Sequence, residues 1–242
     1  MIKIGILPSC QIFEKDNPYN DIYKFYNIFS KKIFEFGAIP IGILLNDGKI
    51  DINSLEMCDA FLIEGGNKIE PYFFETINYA IKNNKPLLGI CLGMQSIGVY
   101  SYLEMLLRQE NKELTVKNFY NMFKKIKEDN VYFLKTIDNH YNEKPTRSNY
   151  LKNQHKVEIL KDTKLYSIYK ENKIDVVSMH KYIVNKYGDT ILINCIFDDV
   201  IEGLEYKDDN LFILGIQWHP ELEDKHNILF KRLIEEAQKR KN

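Results

Sequence analysis

The sequence predicts an α/β protein with a three-layer, doubly wound, mostly parallel sheet and an additional antiparallel hairpin. Short apolar runs alternate with longer segments whose apolar residues recur at helical spacing, a pattern typical of a parallel sheet covered by helices on both faces. Near the C-terminus only the polar residues 207–210 separate two apolar runs, which predicts the hairpin. With 242 residues, 45% of them hydrophobic, the chain is long enough to fold as a single domain over 1–242.

The first half of the chain alternates regularly between the two kinds of segment. Gly37 ends the first predicted helix, and Pro71 begins the third, where its missing N–H costs no hydrogen bond. The predicted elements are strand 2–7, helix 20–36, strand 39–45, helix 52–57, strand 60–63, helix 71–82 and strand 87–90.

Cys91 lies where the strand 87–90 passes directly into the predicted helix 92–107. Gly89 and Gly93 supply the small neighbours that a sharp strand-to-helix turn needs around a nucleophile. The N–H groups and positive potential of the helix N-terminus favour a thiolate and can stabilise an oxyanion. Most cysteines of this kind are buried small hydrophobes, but the glycines on both sides favour a nucleophile here.

Between residues 109 and 153 the alternation gives way to a polar, aromatic-rich stretch with one predicted helix, 116–127. Long segments of this kind are either functional or disordered, so a lid or insertion over the site and a solvated surface excursion stay equally open. Strands dominate the remainder of the chain. The predicted elements there are strands 155–160, 174–178, 190–197, 200–206 and 211–216 and helix 224–239.

Composition narrows the range of functions. The formal net charge is −1, with both signs mixed along the chain, so no nucleic-acid or membrane-surface partner is expected. No apolar run reaches the roughly 18 residues of a membrane span, and the N-terminus lacks a signal peptide's cleavage site, which together predict a cytoplasmic protein. The cysteines show no metal-binding spacing and no disulfide pattern, and no Gly-rich phosphate loop is present, so no metal or cofactor is expected. They are Cys10, Cys58, Cys91 and Cys195.

A second chemical motif follows the last predicted strand, where the chain reaches His219 and, two positions later, Glu221. A thiol nucleophile needs a base that accepts its proton and later returns one to the leaving amine, and imidazole suits both steps near neutral pH. A carboxylate behind the imidazole fixes its tautomer and supports its charged form. Cys91, His219 and Glu221 are therefore predicted as a catalytic triad gathered at the carboxyl ends of the strands.

Together, Gly-Ile-Cys-Leu-Gly-Met-Gln at 89–95 and Gln-Trp-His-Pro-Glu at 217–221 closely resemble the motifs of the class I glutamine amidotransferase superfamily. Within it, the chain looks most like the γ-glutamyl-γ-aminobutyrate hydrolase branch, also classed as C26 peptidases. The resemblance covers most of the chain apart from about 101–153. It implies the flavodoxin-like amidotransferase fold and hydrolysis of a small γ-glutamyl amine to glutamate and free amine.

The resemblance also implies individual roles. Cys91 would attack the side-chain amide of the γ-glutamyl group and form a thioester that water then hydrolyses. The backbone N–H groups of Gly66 and Leu92 would form the oxyanion hole, and Gly65 and Gln95 would contact the glutamyl group. For Gln95 alone, a plain packing role on the helix is the alternative.

The chain departs from the family pattern after strand 174–178. Related hydrolases have Ser-x-His-His-Gln there, and this chain keeps Ser178 and His180 but has Lys181 and Tyr182 in the last two positions. Ser178, His180 and Lys181 are predicted as substrate-binding residues. Lys181, together with Lys68 after the glycine pair, suggests an anionic amine half, although a pair of solvated surface lysines explains the change equally well.

Two other functions stay open. The chain could be a glutaminase subunit that passes ammonia to a separate synthetase partner, or a non-enzymatic relative that keeps the fold. The intact Cys, His and Glu set argues against the second. A homodimer also stays open, because nothing in the sequence decides the oligomeric state.

Overall fold

The structure of the chain, a computed structural model, describes residues 1–128, 134–136, 146 and 148–241. Its strands are β1 (Lys3–Leu7), β2 (Cys10–Phe13), β3 (Asp21–Lys24), β4 (Ile39–Gly42), β5 (Leu45–Asn46), β6 (Lys49–Ile50), β7 (Ala60–Ile63), β8 (Leu87–Ile90), β9 (Leu134–Thr136), β10 (Gln154–Ile159), β11 (Lys173–Val177), β12 (Tyr182–Val184), β13 (Ile191–Phe197), β14 (Val200–Tyr206) and β15 (Ile213–Ile216). Its α-helices are α1 (Asn27–Glu35), α2 (Ile52–Glu56), α3 (Pro71–Lys82), α4 (Leu92–Gln109), α5 (Val116–Glu128), α6 (Lys164–Tyr169) and α7 (Ile228–Lys241). Short 3-10 segments cover Pro18–Asn20, Tyr150–Asn153, Pro220–Leu222 and Asp224–His226.

The central sheet has the order β11-β10-β13-β14-β15-β8-β7-β1-β4 in the described part of the chain. The five strands from β15 to β4 pair in parallel, and the pairs from β11 to β15 are antiparallel. Because only β10 and β14 run against the others, most strands still point in one direction. The antiparallel pair of β14 and β15 is the hairpin predicted around 207–210.

Helices cover both faces of the sheet and give the three predicted layers. One buried cluster joins the sheet to α3, α4 and α5 through residues such as Ile77, Leu103 and Phe119. A second cluster on the other face joins it to α1, α6 and α7. The inner parallel strands β7 and β8 are therefore buried on both faces, which explains why they are apolar throughout. The predicted α/β class is confirmed.

Strands β7 and β8 have their predicted bounds, whereas β1 and β15 begin one and two residues later than predicted and β4 already ends at Gly42. The prediction of helix 20–36 was wrong over its first part. Residues 21–24 form β3, which pairs with β2 in a two-stranded hairpin, and the helix begins only at Asn27. A local turn competes successfully with the helix, because the Asn17 side chain accepts the Tyr19 N–H and Gln11 bonds Asp21 across the strands. The sequence prediction also missed α6, whose N-cap Thr163 accepts the Tyr166 N–H at 3.0 Å.

Three described elements begin in the stretch 109–153: α5, β9 and the 3-10 segment Tyr150–Asn153. Its helix α5 packs on α4, with the rings of Phe119 and Tyr100 stacked 4.4 Å apart. Its strand β9 pairs antiparallel with β12. Residues 129–133, 137–145 and 147 of this stretch lie outside the described residues, and the role of the stretch as a lid stays a prediction. Among the described helices, none has the length and hydrophobicity of a membrane span.

Candidate active site

The turn between β8 and α4 holds Cys91 in an unusual backbone conformation. Cys91 is the N-cap of α4 with φ 52° and ψ −101°, backbone angles that residues other than glycine rarely adopt. Only 7% of the residue is exposed. A Cβ on Gly89 would lie 2.6 Å from the carbonyl carbon of Gly93, and one on Gly93 would lie 2.3 Å from the Ile63 oxygen. Both flanking glycines are therefore required for the helix to approach the sheet this closely. Backbone strain of this kind is typical of functional sites.

Neighbouring strands bring the second motif to the same edge of the sheet. β15 lies beside β8 in parallel register, and the Cys91 N–H donates to the Ile216 carbonyl at 2.8 Å. The chain then continues past Ile216 to His219, whose N–H donates to the carbonyl of Val177 at the end of β11 at 3.0 Å. The Nδ1 of His219 is 2.7 Å from Oε1 of the buried Glu221.

The Gly65–Gly66 turn shows how close the imidazole is to the thiol. A Cβ on Gly65 would lie 3.1 Å from His219 Cε1 and 3.5 Å from Cys91 Cβ. One point beside this turn therefore lies close to both residues, and the Cys91 thiol hydrogen-bonds the imidazole. The three residues predicted as a triad are gathered at the carboxyl ends of β7, β8 and β15.

The electrostatics of His219 follow from this arrangement. Burial disfavours its charged form, but the negative charge of Glu221 and the hydrogen bond with the Cys91 thiol outweigh burial and raise the pKa of His219 well above its ordinary value. The imidazolium form is therefore favoured at neutral pH. A neighbouring imidazolium is one of the groups that favour the thiolate form in which a cysteine acts as a nucleophile.

The residues predicted for the oxyanion hole lie against each other. A Cβ on Gly66 would lie 2.8 Å from Leu92 Cδ2 and 2.9 Å from the Ser9 carbonyl oxygen. Leu92 is the first residue of α4, where a helix provides no acceptor for the backbone N–H. The two amides are thus on segments in direct contact next to Cys91. Their role in binding an oxyanion stays a prediction.

Gln95 is buried in the first turns of α4. Its side-chain nitrogen donates to the Tyr182 carbonyl at 2.9 Å and to the Gln217 side chain at 3.1 Å. These bonds fix the plane of the amide and occupy its donor side. Its contact with a glutamyl group stays a prediction.

The residues predicted after β11 are placed unequally. Ser178 is fully buried at the carboxyl end of β11, the edge that also carries Cys91. His180 is held by the protein itself, with Nδ1 3.1 Å from the Tyr182 carbonyl and Nε2 3.2 Å from Glu202 Oε1. Lys181 is exposed. Their contact with substrate stays a prediction.

The positive charge of Lys68 is opposed by a carboxylate, which the sequence did not lead us to expect. Its ammonium is 2.7 Å from Glu70 Oε1, in the segment that leads from the glycine pair into α3. The carboxylate offsets the charge that Lys68 would bring to the mouth of the site.

Sequence reasoning missed a buried carboxyl group next to the site. Glu64 directly precedes Gly65 at the end of β7 and is fully buried. Both of its oxygens accept the Tyr26 N–H, at 3.1 and 3.2 Å. The signal was present in the sequence, because a charged residue immediately after an apolar strand and before two glycines lies at the sheet edge where sites gather.

A family model and two relatives place this geometry among known proteins. The model of the Peptidase C26 family matches residues 74–221, more than half of the chain. A glutamine amidotransferase-like protein of Rickettsia prowazekii (strain Madrid E) is 29% identical, with 96% of each chain covered. A CTP synthase of Methanosphaera stadtmanae is 28% identical, over 81% of this chain and 37% of the synthase.

A solved structure gives the same architecture. The glutaminase domain of Trypanosoma brucei CTPS with bound acivicin has a TM-score of 0.65 and 18% identity, over 99% of this chain and 94% of that domain. At this identity the likeness concerns the fold, and it confirms the predicted amidotransferase type of sheet.

Proposed function

The chain belongs to the peptidase C26 family of the class I glutamine amidotransferase superfamily, and we propose that it hydrolyses the γ-glutamyl amide bond of a small γ-glutamyl amine. The products are glutamate and the free amine. The amide hydrolase class rests on the family. The γ-glutamyl substrate rests on the motifs around Cys91 and His219.

One observation carries this proposal. A single point beside Gly65 is 3.1 Å from the His219 ring and 3.5 Å from Cys91 Cβ, while the other side of the ring is bonded to Glu221. A nucleophile, a base and an orienting carboxylate at the carboxyl ends of neighbouring strands are what acyl transfer requires.

The proposed reaction has two halves. In the first, the Cys91 thiolate attacks the γ-carbonyl carbon, the carbonyl electrons form an oxyanion, and the His219 imidazolium gives its proton to the departing amine as the C–N bond breaks. In the second, neutral His219 takes a proton from water, the hydroxide attacks the thioester, and Cys91 leaves as a thiolate with glutamate as product. Glu221 stabilises the imidazolium in both halves.

The oxyanion is assigned to the N–H groups of Gly66 and Leu92. Donors placed in advance at this position, away from bulk water, stabilise the transition state more than the planar carbonyl of the substrate. Gly65, Gln95, Ser178, His180 and Lys181 are proposed to line the substrate pocket.

A substrate screen tests the proposal. Purified wild-type protein is given L-glutamine and a set of γ-glutamyl amides with neutral, cationic and anionic amine halves, and released glutamate is measured. Activity is expected on at least one conjugate and should be lost in Cys91→Ala. Cys10→Ala, which removes a half-exposed cysteine, is the matched control and should retain activity. Equal, slow release by wild type and Cys91→Ala would contradict the hydrolase proposal.

A second function, glutaminase supplying ammonia to a synthetase, is supported by the match to the CTP synthase of Methanosphaera stadtmanae. The match covers 37% of that synthase, and in this alternative the synthetase is a separate partner protein. Glutamine would then be the preferred substrate. Isolated activity on glutamine that rises when a partner is added supports this function, and preference for a larger γ-glutamyl amine excludes it.

A further inference from the structure

Glu64 is a buried carboxyl group that the proposed reaction does not use. It joins the end of β7 to the Gly65–Gly66 turn and is fully buried. Buried carboxyl groups are costly unless hydrogen bonds satisfy them. Glu64 therefore needs a structural or functional reason to lie at this position beside the site.

Its hydrogen bonds lead to the hairpin formed by β2 and β3. Both Glu64 oxygens accept the N–H of Tyr26, the residue between β3 and α1, at 3.1 and 3.2 Å. Across the same base of the hairpin, the N–H and the hydroxyl of Ser9 donate to the Lys24 carbonyl at 2.8 and 3.1 Å. Glu64 thus fixes one end of a closed loop whose two ends are bonded together.

The same loop presses on the turn that carries the proposed oxyanion donor. The Ser9 carbonyl oxygen is 2.9 Å from the position of a Cβ on Gly66, so the hairpin base is in direct contact with this glycine. On its other side the turn contacts Cys91 and His219 through Gly65. A shift of the hairpin base would therefore move the Gly66 peptide relative to the thiol.

We infer that Glu64 is a positioning residue, which ties the base of the β2–β3 hairpin to the end of β7 and thereby sets the place of the Gly66 amide beside Cys91. This inference rests on the proposed function, because it concerns the oxyanion hole of that reaction. Glu64 acts through Tyr26 and Ser9 and touches no reacting atom.

The charge state of Glu64 gives this role a signature. Burial raises the pKa of Glu64 to about 8; the N–H groups of Tyr26 and Ser9 and the charge of Lys24 oppose the shift, and the charge of Glu221 adds to it. Tyr72 also lies in its electrostatic surroundings, and Cys10 lies near Lys24. At neutral pH the neutral form of Glu64 dominates, so Glu64 adds no negative charge near the developing oxyanion.

Four variants separate the hydrogen bond from the side chains that make it. Glu64→Leu removes the acceptor, whereas Glu64→Gln keeps a carbonyl oxygen and should restore function. Tyr26→Pro removes the N–H at a residue whose φ of −89° is near that of proline, and Tyr26→Ala is its matched control, since it loses the same side chain but keeps the N–H. Tyr26→Pro also keeps the test valid if Glu64→Leu fails to fold.

The first measurement is hydrogen–deuterium exchange, which needs no substrate. We expect amide exchange in the segment 64–70 to be about tenfold faster in Glu64→Leu and Tyr26→Pro, with exchange in the elbow 87–97 unchanged. Glu64→Gln and Tyr26→Ala should match wild type. Exchange in 64–70 that is the same in all five proteins would overturn the inference, whether or not the protein proves to be a hydrolase.

The second measurement uses γ-glutamyl-p-nitroanilide as probe at pH 7. We expect Glu64→Leu and Tyr26→Pro to lower kcat about tenfold or more with little change in KM, because a displaced donor weakens binding of the transition state more than of the substrate. Above about pH 8, kcat of wild type should fall relative to Glu64→Gln, which cannot ionise. If wild type is active and kcat is unchanged in both variants, the inference is contradicted but the proposed function stands. If wild type is inactive but the exchange results are as expected, the proposed function is contradicted and the positioning role of Glu64 stands.

Discussion

The chemistry of the candidate site depends on single side chains whose charges are set by their neighbours. His219 bonds Glu221 at 2.7 Å and the Cys91 thiol on its other side, and the pKa of its imidazole is raised despite burial, by the charge of Glu221 and the bond to Cys91. A cationic imidazole is thus in place beside the sulfur before substrate binds. The pair combines a ready nucleophile with a proton for the leaving amine.

Replacing the carboxylate tests this electrostatic coupling. In Glu221→Gln the imidazolium loses its stabilising charge, so the pKa of His219 should fall and the alkaline limb of the kcat profile should move to lower pH. We expect kcat itself to fall about tenfold or more. Steady-state kinetics between pH 5 and 10 provide the measurement.

Glu223→Gln is the matched control for this experiment. Glu223 lies two residues further on and bonds Gln154 and Lys225 instead of the imidazole. Its substitution should leave the alkaline limb in place. If both variants shift the profile equally, the direct bond between His219 and Glu221 is not the cause.

At the scale of elements, the close approach of α4 to the sheet positions the nucleophile. Gly93 lets the helix contact the carbonyl of Ile63 at the end of β7. In Gly93→Ala the added methyl would lie 2.3 Å from that oxygen, and backbone cannot move aside cheaply. We expect a loss of about 1–3 kcal/mol in the free energy of unfolding, measured by urea denaturation.

Gly42→Ala is the control for this loss. A Cβ on Gly42 would lie 3.7 Å from the Phe25 ring, an ordinary van der Waals contact on an exposed stretch of β4. Its unfolding free energy should stay within about 0.5 kcal/mol of wild type. Equal destabilisation by the two substitutions would show that the elbow is no more closely packed than the surface.

The sequence predicted most strongly those elements that local chemistry and burial both favour. β7, β8 and α3 match their predicted bounds, because two-sided burial makes such strands uniformly apolar and a proline marks the helix start. β3 was mistaken for helix because its few apolar residues fit both periods, and the turn before it decides the outcome. Glu64 was missed because its meaning depends on Tyr26, which only the folded chain brings beside it.

Over the whole molecule, the parallel half of the sheet positions the predicted triad, and the antiparallel half adds residues of the proposed substrate pocket. The parallel strands from β4 to β15 supply the thiol, the imidazole and the double-glycine turn. The antiparallel strands bring Ser178 and His180 to the same edge, where β9 of the stretch 109–153 pairs with β12. The proposed pocket thus lies where the two halves of the sheet meet.

Glu64 should also make the stability of the whole fold depend on pH. Its pKa is about 8 in the folded protein and near its ordinary value of 4.5 in the unfolded chain, so the folded state binds the extra proton between these values. Stability contributed by this group therefore declines as pH rises through that window. Between pH 5 and 8 the Tm of wild type should fall by several degrees more than that of Glu64→Gln.

Differential scanning fluorimetry can compare these proteins. Glu113→Gln, a substitution of the same type at an exposed position, should follow wild type at every pH. Parallel curves for wild type and Glu64→Gln would mean that Glu64 keeps its ordinary pKa in the fold.

The most direct test of the proposed mechanism is to trap the acyl group on the protein. Wild type is mixed with the γ-glutamyl amide that it hydrolyses fastest, quenched with acid during turnover, digested and analysed by mass spectrometry. If Cys91 is the nucleophile, we expect a γ-glutamyl adduct on the peptide that contains Cys91. The adduct should be present in Cys10→Ala and absent in Cys91→Ala. An adduct on another residue, or glutamate release by Cys91→Ala at the wild-type rate, would contradict it.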